Sequence, residues 1–329
     1  MHYIGSKEKL LPFIKNEVRQ QVGRSLHVKR FCDLFAGTGV VGRSFSDDGL
    51  HVSSNDAEYY SYLINHAYLM TQSLTDYESQ LQELNHLHIK KGLIFQHYAL
   101  GGGEGRHYFS DENAQMIDAM RQHIEFWYQT EVINQERYFL LLATLIEEVT
   151  YIANTASIFS AYLKTLKKTA QIPLQLKALH VKENRTSHHV FHSDSNLLIK
   201  EISGDILYLD PPYNLRQYGA NYHLLNTIAE YKPLVPRGKT GLRAYYSSPY
   251  SRRKSAYESL KNLLQNARFS HIFLSYSSDG IIDNTEIAKL MKNLGHYHQA
   301  SQEHKRFNVK NAKETHHKTT EYLHCLHVR

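Results

Sequence analysis

The sequence is poor in cysteine, proline and tryptophan. Its 329 residues include only Cys32 and Cys325, too few for a disulfide scaffold or a cysteine-based zinc site and suited to a reducing compartment. Seven prolines exclude a proline-rich linker, and there is no internal repeat or low-complexity tract. No run approaches the ~20 consecutive apolar residues of a membrane span. Nor does an apolar stretch follow Lys7, Glu8 and Lys9, so secretion is not indicated. The histidines His188-His189, His316-His317 and His223 fall in no metal-ligand spacing or carboxylate cluster, and no metal is expected. These absences leave a metal-independent cytoplasmic protein without a membrane partner, expected to be a monomer. With 42% hydrophobic residues it can bury a sizeable core.

What the chain does have is charge, unevenly placed. The overall excess is +6, yet residues 51–150 carry five Lys/Arg against fourteen Asp/Glu, a net of −9. Residues 151–200 carry seven against two, and residues 232–268 carry nine against Glu258 alone, nets of +5 and +8. The last block interleaves Arg237, Lys239, Arg243 and Arg252-Arg253-Lys254 with Tyr245, Tyr246, Tyr250 and Tyr257. Basic side chains neutralise phosphates and rings stack on bases, so the mixture suits nucleic acid. A single such run would read as a solvated loop; two that flank one candidate site point to a nucleic-acid surface.

Strand signals occur at Arg30–Phe35, 51–54, 190–192, 205–209 and 271–275, with a possible closing pair at 296–300 and 322–328. The first runs into Ala36-Gly37-Thr38-Gly39 and a helical pattern, the opening of a doubly wound α/β sheet. A long stretch of about 76–185 reads as mostly helical, with 138–151 as a buried helix and Gly101–Gly105 as a flexible tip. The expected architecture is a Rossmann-like α/β sheet made of 1–75 and 186–329, interrupted by a helical insertion at 76–185.

Two constellations carry chemistry. In Asp33-Leu-Phe-Ala-Gly-Thr-Gly39 the glycines let backbone approach a ligand at a helix N-terminus, and Asp56 ends the second strand, where an acid can accept from both hydroxyls of a ribose. The third glycine of a dinucleotide binder is missing, which tilts the cofactor toward S-adenosylmethionine. The second is Asp210-Pro211-Pro212-Tyr213, straight after the apolar Ile206–Leu209. Two prolines remove two backbone donors and leave carbonyls free, so a carboxylate and a proline carbonyl can accept both hydrogens of one exocyclic amine while the tyrosine ring stacks on its base. Cys32, in an apolar strand, reads as an inert buried thiol.

On these residues the sequence resembles the D12 class of DNA adenine-N6 methyltransferases, related to the Dam enzymes. Tyr3-Ile-Gly-Ser-Lys7 with Leu10-Leu-Pro-Phe looks like that family's N-terminal cofactor motif, Asp33–Gly39 like its motif I and Asn55-Asp56 like its motif II. Asp210–Tyr213 looks like its catalytic motif, and Asn214–Asn226, Asn154-Thr155 and Ala161–Lys164 resemble one branch. The resemblance implies a class I methyltransferase sheet with the 76–185 insertion as target-recognition domain. It implies S-adenosylmethionine as cofactor, held by Tyr3, Lys7, Asp33, Phe35, Gly37, Gly39, Asp56 and Asp194, the last on the cofactor adenine. It also implies methylation of N6 on an adenine flipped from double-stranded DNA, by Asp210, Pro211, Pro212 and Tyr213. Lys164, Arg216, Arg237, Lys239, Arg252, Arg253 and Lys254 are the expected DNA contacts. The implied setting is the nucleoid of a bacterium, with a cognate restriction endonuclease as functional partner. Methylation of RNA adenine or another planar amine, or a non-catalytic DNA-binding role, are the alternatives. Asp at 210 weighs against the first of these, since many RNA enzymes carry Asn there.

Overall fold

The computed structural model describes residues 5–23, 26, 29–184, 186–305 and 318–328; Tyr3 and His316-His317 lie outside them. Its first half runs α1 (Leu11–Val22), β1 (Arg30–Asp33), α2 (Val40–Asp47), β2 (His51–Asn55), α3 (Tyr59–Met70), α4 (Tyr77–Asn85), α5 (Leu93–Tyr98), α6 (Asp111–Gln129) and α7 (Gln135–Ile152). The second half runs β3 (His189–Phe191), α8 (Ser195–Leu198), β4 (Ser203–Leu209), α9 (Tyr218–Asn221), α10 (His223–Glu230), α11 (Ala256–Asn266), β5 (Arg268–Ser277), α12 (Asn284–Lys292), β6 (Gly295–Lys305) and β7 (Lys318–Val328).

The strands form one sheet in the order β3-β2-β1-β4-β5-β7-β6. The first five are parallel, and β7 enters antiparallel to both β5 and β6. This is the Rossmann-like methyltransferase sheet expected from the motifs. Period-two alternation splits each strand between two cores. Phe31, Ile206, Tyr208, Phe273 and Leu323 face α1 and α2, whereas Cys32, Leu207, Leu209, Ile272, Leu274 and Leu326 face α8, α11 and α12. Strand order reverses between β1 and β4, since β1 leads outward to β2 and β4 leads the other way to β5. A crevice therefore opens at their carboxyl ends.

A third core joins α4–α7 to α3 and α10 of the flanking segments. Buried residues ring α7 on every side, which explains why its sequence lacks a polar face. Helix stops at Ile152, however, and from Ala153 to Asn184 the chain is irregular apart from one 3-10 turn, so the mostly helical expectation is corrected for that portion. Buried asparagines stabilise the irregular backbone by supplying its hydrogen bonds. Asn154 donates to the carbonyls of His107 and Leu163 at 2.8 and 2.9 Å and accepts from Lys167 N at 2.9 Å. Asn113 does the same for Ala170, Ile172 and Leu174. Gly101–Gly105 is a largely exposed turn anchored at its start, where Asp111 accepts from Gly101 N at 2.6 Å and the Gly102 Cα lies against the Phe95 and Gln96 carbonyls.

Candidate active site

The crevice between β1 and β4 forms a cleft partly open to solvent. Four segments bring chemistry to it: the turn Gly5–Lys7, the glycine turn after β1, the end of β2 and the turn Asp210–Tyr213 after β4. Gly37 and Gly39 have φ of 53° and 73°, left-handed values that favour glycine and let the chain double back into α2. The turn is held from the neighbouring helix, where Asn65 and Ser61 of α3 both donate to the Gly37 carbonyl.

Asp33, Phe35, Gly37 and Asp56 line this cleft together with Lys7, Asp210 and Pro212. Asp33 is buried, and its Oδ2 accepts from Gly42 N at 3.0 Å. Its Oδ1 has no hydrogen-bond partner among the described residues. Burial pushes its carboxyl up to about 8, with Asp210 and Asp56 adding to the effect and the Gly42 N–H opposing it. Asp56 is aimed by its own loop: Gly37 N donates to Oδ2 at 2.8 Å and Glu58 N to Oδ1 at 2.9 Å. Burial raises it as well, against those two N–H groups. A wall of buried acids with one unpartnered oxygen suits a cationic ligand, and S-adenosylmethionine carries both an ammonium and a sulfonium. The residues present fit that cofactor.

The turn Asp210–Tyr213 has a denser charge arrangement. Lys7 is buried with its Nζ 3.0 Å from Asp210 Oδ1 and 2.7 Å from Glu321 Oε1. Burial pushes the Asp210 carboxyl up to about 6, a shift that Lys7 opposes and Glu321 assists. Pro211 is buried, Pro212 faces the cleft, and the Tyr213 carbonyl accepts from Ile281 N at 2.8 Å. The Tyr213 ring meets Tyr276 edge-on at 5.9 Å and lies 5.6 Å from the Lys7 ammonium. Lys7, expected among the cofactor-holding residues, thus stands beside Asp210 at the turn after β4.

Two expected cofactor residues sit behind the cleft wall. Gly39 begins α2 with its Cα against Asn65. Asp194 caps α8, accepting from Asn196 N and Leu197 N, while its Oδ2 receives the Tyr246 hydroxyl at 2.5 Å. It is Tyr246 that lines the cleft.

The expected DNA-contacting residues are exposed. Lys164, Arg216, Arg237, Lys239, Arg252, Arg253 and Lys254 are all exposed, and none forms an ion pair among the described residues. Their two sequence blocks meet at Tyr108, whose hydroxyl lies 2.7 Å from the Phe159 carbonyl and 3.1 Å from that of Thr240. Buried Arg106 fastens the same junction, donating to the carbonyls of Gly238 and Lys239. Gln217 and Ser248 exchange two hydrogen bonds, so that the strap 244–254 runs beside Arg216. Tyr246 and Tyr250 on this strap turn into the cleft, whereas Arg252, Arg253 and Lys254 turn outward.

Several lining or supporting groups escape the motif reading. Glu58 lines the cleft, accepts from Asn226 Nδ2 at 2.5 Å and is pushed up by burial to about 7. Its only sequence signal is its place two residues beyond Asp56. Glu321 has none, because it reaches the site only through the insertion of β7 beside β5. His188 is spent internally, accepting from Val52 N at 3.0 Å. Buried His223 contacts the Phe159 carbonyl and is pushed down to about 4 by burial.

A family model described as D12 class N6 adenine-specific DNA methyltransferase matches residues 3–290. The chain is 47% identical to the type II methyltransferase M.NlaIII of Neisseria lactamica, an alignment that covers 99% of each chain. It is 38% identical to the type II methyltransferase M.FokI of Planomicrobium okeanokoites, over 90% of this chain and 47% of that protein. To the type II methyltransferase M.CviAII of Paramecium bursaria Chlorella virus 1 the identity is 33%, over 93% of this chain and 92% of that one.

Proposed function

Because the chain belongs to the D12 class N6 adenine-specific DNA methyltransferases, we propose that it methylates N6 of an adenine flipped out of duplex DNA, using S-adenosylmethionine. The observation that carries this reading is the position of Asp210-Pro211-Pro212 at the carboxyl end of β4, on a cleft shared with Asp33 and Asp56. The type II relatives extend it to a modification role that protects DNA from a cognate restriction endonuclease.

S-adenosylmethionine supplies an activated methyl group on its sulfonium, so the protein's task is to bind, orient and accept hydrogen bonds. Asp33 Oδ1 would face the cofactor ammonium, and Asp56 would accept from its ribose hydroxyls. Tyr246, braced by Asp194, would border the cofactor adenine, with Phe35 as an apolar surface. At the catalytic turn the Asp210 carboxylate and the Pro211 carbonyl accept the two N6 hydrogens. This orients a nitrogen whose lone pair is otherwise delocalised into the ring. Tyr213 stacks on the extruded base. Holding reactants ~3–3.5 Å apart in line supplies several kcal/mol of the rate enhancement. Extrusion costs a few kcal/mol, which phosphate contacts from Lys164, Arg216, Arg237, Lys239 and Arg252–Lys254 offset. The 76–185 segment is proposed to contribute to target recognition.

The test is transfer of an isotopically labelled methyl group to DNA, RNA and protein offered in parallel, with the modified product identified after digestion. Label in N6-methyladenine from duplex DNA is expected. Label confined to RNA, protein or cytosine would overturn the reading.

A further inference from the structure

We propose that Glu321 is a positioning residue of the catalytic corner, sharing the Lys7 ammonium with Asp210 so that the Asp210 carboxylate keeps its strength as an acceptor. The inference rests on the reading of Asp210 given above and adds a residue to it.

The geometry is a chain of four groups from four parts of the sequence, with Ser275, Glu321 and Lys7 buried and Asp210, 18% exposed, at the end that opens on the cleft. Ser275 Oγ of β5 donates to Glu321 Oε1 of β7 at 2.5 Å, which receives Lys7 Nζ at 2.7 Å; Lys7 in turn stands 3.0 Å from Asp210 Oδ1. Lys7 and Glu321 are 5% and 3% exposed, so water does not screen them. Two carboxylates therefore divide one ammonium, and the shorter contact goes to Glu321. An ammonium committed wholly to Asp210 would hold that carboxylate ionised but draw its lone pairs away from any other donor. An ammonium drawn toward Glu321 leaves Asp210 both oriented and basic. An exocyclic amine with two hydrogens to donate requires that state. The other titratable groups around the corner are the phenols of Tyr208, Tyr213 and Tyr218 and the carboxyls of Asp33 and Asp279. Burial keeps the three phenols neutral, and none of these groups supplies a second cation for Asp210.

The sign of the effect follows. A neutral isostere at 321 removes one repelling negative charge and returns Lys7 to Asp210, and both changes lower the Asp210 pKa. Single-turnover methyl transfer to duplex DNA, measured from pH 5 to 9, is the experiment, with Glu321→Gln and Glu321→Asp beside the wild type. Glu321→Gln is expected to slow the plateau rate at least ~10-fold and to move the acid limb down by about one pH unit, with cofactor and DNA affinities retained. Glu321→Asp keeps the charge and is expected to keep the limb at its wild-type position. A Glu321→Gln enzyme with the wild-type rate and limb would overturn the inference. A slower enzyme with an unmoved limb, or one that no longer binds cofactor, would also do so, since Glu321 would then be structural only. None of these outcomes touches the reading of Asp210, which fails separately if Asp210→Asn retains turnover.

Discussion

The cleft and the exposed basic residues solve opposite problems. In the cleft, charge is buried: Asp33, Asp56, Asp210 and Lys7 each sit within hydrogen-bond distance of a named partner, and their ionisation is shifted by burial and by each other. The seven expected DNA contacts, by contrast, are exposed and form no ion pair among the described residues, which leaves them available to a polyanion. Burying a charge is costly unless each oxygen or ammonium finds its counterpart, which narrows residue type and spacing until they read as motifs. A phosphate backbone asks only for positive charge nearby, so there the composition is informative and the individual position is not.

That contrast can be broken in order of expected effect. Asp210→Ala should lower single-turnover methyl transfer by about 10³-fold or more while cofactor affinity, read by calorimetry, stays within a few-fold. A variant with wild-type turnover would end the distinction between the two regions.

Asp33→Asn should weaken S-adenosylmethionine binding by roughly 10- to 100-fold, because it replaces a buried anion with a neutral amide opposite an ammonium. The wild type should also show a pH signature. The Asp33 carboxyl is raised to about 8, so its stabilising neutral form in the folded apo-protein is lost as pH climbs from about 4 through 8. Apo stability should decline over that window, and cofactor affinity should rise from pH 6 to 7.5 as the ionised form is drawn out. Thermal melts and titrations check both trends, and Asp33→Asn should flatten them.

Among the exposed basic residues, Arg252→Glu with Arg253→Glu should reduce duplex affinity about tenfold and lessen the salt slope by roughly two, at ~0.9 per phosphate contact. Cofactor affinity should not change, although Tyr246 and Tyr250 on the same strap line the cleft. Unchanged DNA binding and slope would remove the strap from the interface. Lys239→Ala alone should cost only a few-fold, uniformly across sequences.

The same contrast explains what could be read in the sequence. All seven strands are where period and flanking turns place them, and the glycine turn, Asp56 and Asp210–Tyr213 converge because parallel strands bring their carboxyl ends to one edge. Glu321 was illegible, since only the late antiparallel entry of β7 carries it to Lys7. Asp194 was legible as an acid near the site, but not the Tyr246 hydroxyl that comes between it and the cleft. The end of the stretch read as mostly helical, beyond Ile152, is irregular instead, because nothing in local propensity announces that the buried Asn154 and Asn113 supply the hydrogen bonds of its backbone.

The most direct test of the central claim is to map modified bases in DNA from cells expressing the wild-type protein and, separately, Asp210→Ala. The account predicts N6-methyladenine at one short recurring sequence in the first and none above background in the second. Absence of N6-methyladenine in the first, or the same marks in both, would contradict it.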